Sequence, residues 1–162
     1  MRRLGAVPRG DGLLTHEVYP GEKGPQDACG VFGVWAPGEE VAKLTFFGLY
    51  ALQHRGQESA GIAVSERGRL TALRDMGLVA QVFNEQQLQA LPGEVAIGHT
   101  RYSTAGDTVE RNAQPFSVHC NKGRIAVAHN GNITNASELR ADLEARGSIF
   151  QASSDTEVIL HL

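Results

Sequence analysis

Hydrophobic and polar positions follow two different periods along this chain, and each change of period marks an element. "CGVFGVWA" (29–36) mixes β-formers with glycine and predicts a buried strand. "EEVAKLTFFGLYALQ" (39–53) predicts a helix, with acids at its start and Val41, Leu44, Gly48 and Leu52 near one face. "SAGIAVSE" (59–66) and "GRLTALRD" (68–75) predict a hairpin turning at Arg67-Gly68. A short helix in "NEQQLQAL" (84–91) is ended by Pro92-Gly93, and "EVAIGHTRYST" (94–104) is a strand that runs out into polar residues. "PFSVHC" (115–120) and "GRIAVAHNG" (123–131) form a second hairpin across Asn121-Lys122-Gly123.

Two helices close the pattern. "NASELRADLEARG" (135–147) has Asn135 and Glu138 at capping-box spacing, Leu139 and Leu143 on one face, and Gly147 as a stop. "SSDTEVILHL" (153–162) opens a helix capped at Ser154 with a start signal and no stop signal, so the chain is expected to continue beyond Leu162 in a longer protein. Strands in antiparallel pairs with helices between them make the fold class α+β, sheets covered by helices.

Composition narrows the function classes. The 162 residues suit one domain with a real core, at 41% hydrophobic and 20% charged. A net charge of -3 without a basic stripe gives no reason to expect a nucleic acid or a membrane as partner. No stretch approaches the ~20 apolar residues of a membrane span. The two cysteines, Cys29 and Cys120, do not make a secreted disulfide scaffold, and the six histidines are scattered without metal-ligand spacing. A reducing, cytoplasmic compartment is the simpler expectation. Residues 1–28 form a polar leader punctuated by Gly and Pro, with no apolar core and too many acids for a transit peptide.

Polar groups are dense at the predicted strand ends: Cys29, "GHTRYST" (98–104), "HNGN" (129–132) and Ser154-Asp155. Singly, each has a structural reading: a small core thiol, a solvated arginine, an Asn-Gly turn, an acid at a helix start. Together they fit amide hydrolysis. A thiol nucleophile needs a base, and removal of the leader before Cys29 would create an α-amino group on the nucleophile's own residue, with a reference pKa of ~7.7–8.0. An Asn side-chain amide beside a Gly backbone N–H can hold the oxyanion. A substrate bearing an α-carboxylate and an α-ammonium needs a fixed cation and a fixed anion, which Arg101 and Asp155 can supply. Glutamine is such a substrate.

"CGVFG", "GHTRYST", "HNGNI" and "SSDTEVI" resemble the class II glutamine amidotransferase domain of the N-terminal-nucleophile hydrolases, and "LYALQHRGQESAGI" (49–62) narrows the resemblance to the amidophosphoribosyltransferase family. It runs over residues 25–162 with motifs in order and spacing. The resemblance implies a four-layer α-β-β-α sandwich, incomplete at its C-terminal end. It implies that residues 1–28 are a propeptide removed autocatalytically and that residues 29–162 are the N-terminal part of the glutaminase domain. Cys29 would be the nucleophile, Asn130 and Gly131 the oxyanion hole, Arg101 the grip on the glutamine carboxylate and Asp155 that on its ammonium. Tyr102 and Thr104 would line the same strand end, and Arg55 would lie on a loop near the glutamine. The ammonia would serve phosphoribosylamine synthesis by a phosphoribosyltransferase domain absent from this chain. No cofactor or metal is expected in this segment, because two cysteines do not suffice for a four-iron, four-sulfur cluster; Mg2+ and any such cluster would belong beyond Leu162. The full-length protein is expected to be a homo-oligomer. Two rival readings remain: a non-catalytic segment that binds glutamine or its absent partner domain, and a Cys-His hydrolase using His99 or His129 without cleavage.

Overall fold

The computed structural model describes residues 29–102 and 110–162. Six strands, β1 (Gly30–Trp35), β2 (Ser59–Glu66), β3 (Arg69–Met76), β4 (Val95–Arg101), β5 (Phe116–Cys120) and β6 (Gly123–Val127), form two antiparallel sheets. The helices are α1 (Val41–Ala51), α2 (Val79–Val82), α3 (Glu85–Gln89), α4 (Ala136–Ala145) and α5 (Thr156–His161). The larger sheet has the order β1-β4-β2-β3, and β5 pairs with β6 in the smaller one.

Strand alternation sorts the residues of the larger sheet into two faces. Ala60, Ile62 and Val64 of β2, with Ala96 of β4, pack under α1–α3 against Val41, Leu49, Val79 and Leu88. The opposite face carries Gly61, His99 and Arg101, and over it lies the segment leading into the β5–β6 hairpin; α5 packs on the far side of that hairpin. The order of layers is therefore helix, sheet, sheet, helix, as the family resemblance implies. At the Trp35–Val95 end of the β1–β4 pair the inner face is open, with Trp35 74% exposed and Val95 opposite it also exposed.

The two predicted hairpins form. Arg67 (φ 46°) and Gly68 (φ 80°) make the two-residue turn between β2 and β3, both with the positive φ that matches strand twist. The face of α1 differs from the sequence expectation. Val41, Ala42, Thr45 and Leu49 are buried, whereas Leu44 points outward at 41% exposure. Thr45 can be buried because its hydroxyl donates to the Val41 carbonyl (2.8 Å), and with Leu49 it sits over Gly98 of β4. The predicted capping box at Asn135 does not form, since the Asn135 side chain makes no capping bond. Gly147 does end α4, with φ +97° and the Ser148 N–H donating to the Leu143 carbonyl.

The segment leading into β5 lies tight against the larger sheet at Gly61. A methyl group there would overlap the Gln114 carbonyl oxygen and would lie 2.9 Å from Arg74 Cβ. Gly61→Ala is therefore expected to push that segment off the sheet and to cost about 1–3 kcal/mol, read as a lower urea midpoint at an unchanged slope.

Candidate active site

The start of β1, the end of β4, the loop after β6 and the start of α5 meet around one cavity of ≈ 500 Å3. Cys29, Arg101, Tyr102, Gly131 and Asp155 all line it. Pairing brings the first three together: Gly30 lies opposite Thr100 in the β1–β4 ladder, and its N–H donates to the Thr100 hydroxyl (3.2 Å). Cys29, one residue earlier, then reaches the residue beyond the end of β4. The Tyr102 N–H donates to Cys29 Sγ (3.4 Å), and the thiol faces the Tyr102 carbonyl at 3.7 Å. Tyr102 thus engages the thiol through its backbone, a role its ring chemistry does not announce.

Asn130 Nδ2 donates to the Cys29 carbonyl oxygen at 2.6 Å. A carboxamide carries two N–H donors, so the second is left for another acceptor beside the thiol. The Gly131 N–H makes no hydrogen bond among the described residues, and Gly131 lines the cavity. The Asn130 amide is thus bonded to Cys29, and Gly131 lines the same cavity as the thiol; donors of these two types are what an oxyanion requires.

The charged groups stand on the same wall. Arg101 is 7% exposed; its Nη1 donates to the Asn112 carbonyl (3.1 Å), and its Nε lies 3.7 Å from Glu58 Oε2. Asp155 is held at the start of α5 by the Ile133 N–H, which donates to Oδ2 (2.8 Å). The helix takes Asp155, not the predicted Ser154, as its N-cap residue and has no side-chain capping bond; the Ser154 hydroxyl accepts the Thr156 N–H at 3.3 Å just before it. Arg55 is not among the cavity residues. It ends the 3-10 turn Gln53–Arg55, and the residue of that loop abutting the site is Gly56, where a Cβ would lie 2.6 Å from the Thr100 carbonyl carbon. Thr104 and the proposed propeptide, residues 1–28, lie outside the described residues.

Several cavity residues are absent from the sequence reading. Gln114, 5% exposed, accepts the His129 N–H through Oε1 (2.7 Å) and reaches the Thr156 hydroxyl through Nε2 (3.1 Å). Asn112 and Ser153 exchange two hydrogen bonds of 2.9 and 3.0 Å, tying the 3-10 turn Glu110–Asn112 to the loop before α5. Arg140 of α4 lines the cavity, stacks over Phe150 at 4.3 Å and donates to the Ala152 carbonyl. The available signal was polar residues packed densely beside Pro115 and within "SSDTE", which is visible but has no directional meaning in a linear chain.

Neither candidate histidine bonds to the thiol. His99 is wholly buried with Nε2 3.2 Å from the His129 carbonyl, and His129 Nδ1 lies 3.3 Å from the Thr156 hydroxyl. Burial pushes the His99 pKa down from 6.5 to about 4, against the raising effect of its bond to His129. Above pH 6.5 the ring is neutral in folded and unfolded chains alike. As pH falls from 6.5 towards about 4, the unfolded chain takes up a proton that the folded one refuses, so stability declines through that window. His99→Gln is expected to flatten the pH dependence of the urea midpoint between those values by about 3 kcal/mol in total.

Among the described residues no group of three or more His, Cys, Asp or Glu converges as a metal site. Both cysteines are free thiols, and Cys120 is exposed at the end of β5, away from the cavity, so the donor set does not fit an iron–sulfur cluster. No helix among the described residues is long and apolar enough to cross a membrane.

Comparison with known proteins gives the family of the chain. Residues 84–162 match the family model described as a glutamine amidotransferase domain. The chain is 55% identical over 135 residues to an amidophosphoribosyltransferase of Synechococcus elongatus, covering 83% of this chain and 27% of that protein. Against the amidophosphoribosyltransferase of Bacillus subtilis it is 50% identical over 141 residues, covering 86% and 29%. The solved glutamine phosphoribosylpyrophosphate amidotransferase of Bacillus subtilis, complexed with ADP and GMP, superposes with a TM-score of 0.74 at 48% identity, over 82% of this chain and 28% of that one. The chain thus spans about a quarter of the length of the curated relatives it matches.

Proposed function

The chain belongs to the amidophosphoribosyltransferase family, through a glutamine amidotransferase domain with the N-terminal-nucleophile hydrolase fold, and we propose that this segment hydrolyses glutamine to glutamate and ammonia through Cys29. One observation carries the reading: a thiol, the Gly131 backbone, a buried guanidinium and a carboxylate line a single cavity, and the Asn130 amide is bonded to Cys29 at its edge.

The chemistry follows from those groups. Arg101 takes the α-carboxylate of glutamine and Asp155 its α-ammonium, which leaves the side-chain amide pointing towards Cys29. Sγ attacks the amide carbon as its proton passes to the α-amino group of Cys29, freed by removal of residues 1–28. The carbonyl oxygen becomes an oxyanion held by the Asn130 amide and the Gly131 N–H. The C–N bond then breaks, the α-ammonium returns the proton to the departing nitrogen, and ammonia leaves a thioester. Water, deprotonated by the same amine, cleaves the thioester to glutamate and free thiol. The ammonia serves phosphoribosylamine synthesis from phosphoribosyl pyrophosphate in a phosphoribosyltransferase domain, where Mg2+ and any four-iron cluster would also be held. A cytoplasmic-type reducing compartment suits a reaction that depends on a free thiol.

Equimolar glutamate and ammonia are expected from glutamine, and no aspartate or ammonia from asparagine, whose amide falls one methylene short of the thiol. Calorimetric binding of glutamine without turnover, by protein whose first residue is Cys29, would contradict hydrolysis and favour a binding role.

A further inference from the structure

Three buried or half-buried polar groups converge on the hydroxyl of Thr156, which is itself only 1% exposed, and a fourth is linked to it through one of them. Gln114 Nε2 lies 3.1 Å from Thr156 Oγ1, His129 Nδ1 lies 3.3 Å from it, and Asp155 Oδ1 lies 3.4 Å from it. The fourth group is the His129 backbone N–H, which enters through Gln114 Oε1 at 2.7 Å.

Their directions follow from donor and acceptor chemistry alone. A backbone N–H only donates, so the atom of Gln114 facing His129 N must be the carbonyl oxygen, and the atom facing Thr156 must be the NH2 group. Gln114 therefore donates to Thr156 Oγ1. The hydroxyl has one proton to give and two neighbours to receive it, His129 Nδ1 and the Asp155 carboxylate. A carboxylate only accepts, whereas an imidazole nitrogen can carry a proton of its own. All three contacts are satisfied together in one arrangement: Gln114 and His129 both donate to Oγ1, and Oγ1–H donates to Asp155 Oδ1.

We propose that Thr156, aimed by Gln114 and by the Nδ1–H tautomer of His129, is a positioning residue that holds Asp155 for the substrate ammonium and ties it to the oxyanion segment Asn130–Gly131. The tie runs through His129, which immediately precedes Asn130 and whose backbone is held at both ends: its N–H by Gln114, its carbonyl by the His99 ring at 3.2 Å. The Ile133 N–H reaches back to the other oxygen of Asp155 at 2.8 Å, so the segment carrying the oxyanion donors and the carboxylate are linked from both sides. Specificity for an α-amino acid and stabilisation of the oxyanion then depend on one shared set of hydrogen bonds. The inference rests on Asp155 as the ammonium acceptor.

Thr156→Val keeps the shape of the side chain and removes the hydroxyl. It is expected to raise KM for glutamine by about tenfold and to lower kcat less. The rate at which iodoacetamide, which bears no α-ammonium, alkylates Cys29 should stay within about twofold of the parent, which separates lost positioning from general disruption. Thr156→Ser restores the hydroxyl and should restore KM. An unchanged KM in Thr156→Val, a Thr156→Ser variant as impaired as the valine, or a parallel fall in alkylation rate would each overturn the proposal. If the valine variant does not fold, long-range 15N–1H correlation spectra of the parent protein decide: a proton on His129 Nδ1 is expected, and a neutral ring protonated at Nε2 alone contradicts it. Asp155→Asn distinguishes the two levels, because an unchanged KM there removes the ammonium reading itself, whereas a raised KM there with a normal Thr156→Val removes only the positioning role.

Discussion

Cys29→Ala is expected to lower glutamine hydrolysis by about four orders of magnitude or more while leaving glutamine binding nearly intact. The two effects separate because different groups carry them. Arg101 and Asp155, the residues proposed to hold the ends of the substrate, are positioned by Asn112, Glu58 and Ile133 and not by the thiol. Removing Sγ costs the fold only the weak contacts with the Tyr102 N–H and carbonyl, since the Cys29 carbonyl that receives Asn130 is backbone and survives the substitution. The variant should therefore unfold at nearly the parent's urea concentration, bind glutamine by calorimetry and release no ammonia. A glutamine-like electrophile should label the parent at Cys29 and fail to label the variant. Turnover that persists in Cys29→Ala sinks the nucleophile assignment, whatever happens to labelling.

Asn130→Ala carries the second-largest expected effect, a fall in kcat of about 10^2- to 10^3-fold with KM little changed. The ground-state carbonyl of glutamine is neutral and gains little from an extra donor, whereas the tetrahedral intermediate places a full negative charge at that oxygen. Asn130 Nδ2 is fixed beside Cys29 by its 2.6 Å bond to the Cys29 carbonyl, so its remaining N–H is held in place before substrate arrives. The Gly131 N–H stays in the variant and explains why the loss should stop short of that in Cys29→Ala. Asn130→Asp tests charge against donor number: it puts an acceptor where the oxyanion forms and should be at least as damaging. Steady-state kinetics on both variants give the split. An equal rise in KM with kcat preserved would instead make Asn130 a ground-state contact.

Much of the fold was legible because its signals are local. The Arg67-Gly68 turn, the short helix ending before Pro92-Gly93 and the stop at Gly147 each depend on residues within one turn of each other, and each forms. The face of α1 was misjudged because hydrophobicity alone does not say which residues fit over a glycine. Gly98 admits Thr45 and Leu49, and Leu44 is left outside. Asn135 lacks its capping bond although its spacing to Glu138 is correct, so spacing shows which bonds are available and tertiary contacts decide which are made.

The candidate site divides in the same way. Cys29, Arg101, Asn130, Gly131 and Asp155 stood out as residue types with chemistry at strand and helix ends, and the antiparallel pairing of β1 with β4 together with the loop after β6 brings them together. Gln114 and Thr156 did not stand out. Their importance lies in being buried against each other across 42 residues, and nothing within a window of sequence shows that contact.

The central claim is that Cys29 acts as an N-terminal residue, with its own α-amino group as the base. The intact mass of the active protein tests it directly. The account predicts the mass of a chain beginning at Cys29, without residues 1–28, and activity that appears in proportion to that species. A fully active protein that retains residues 1–28 would contradict it, because Cys29 would then present an amide nitrogen with no basic lone pair, and the proton would have to go elsewhere.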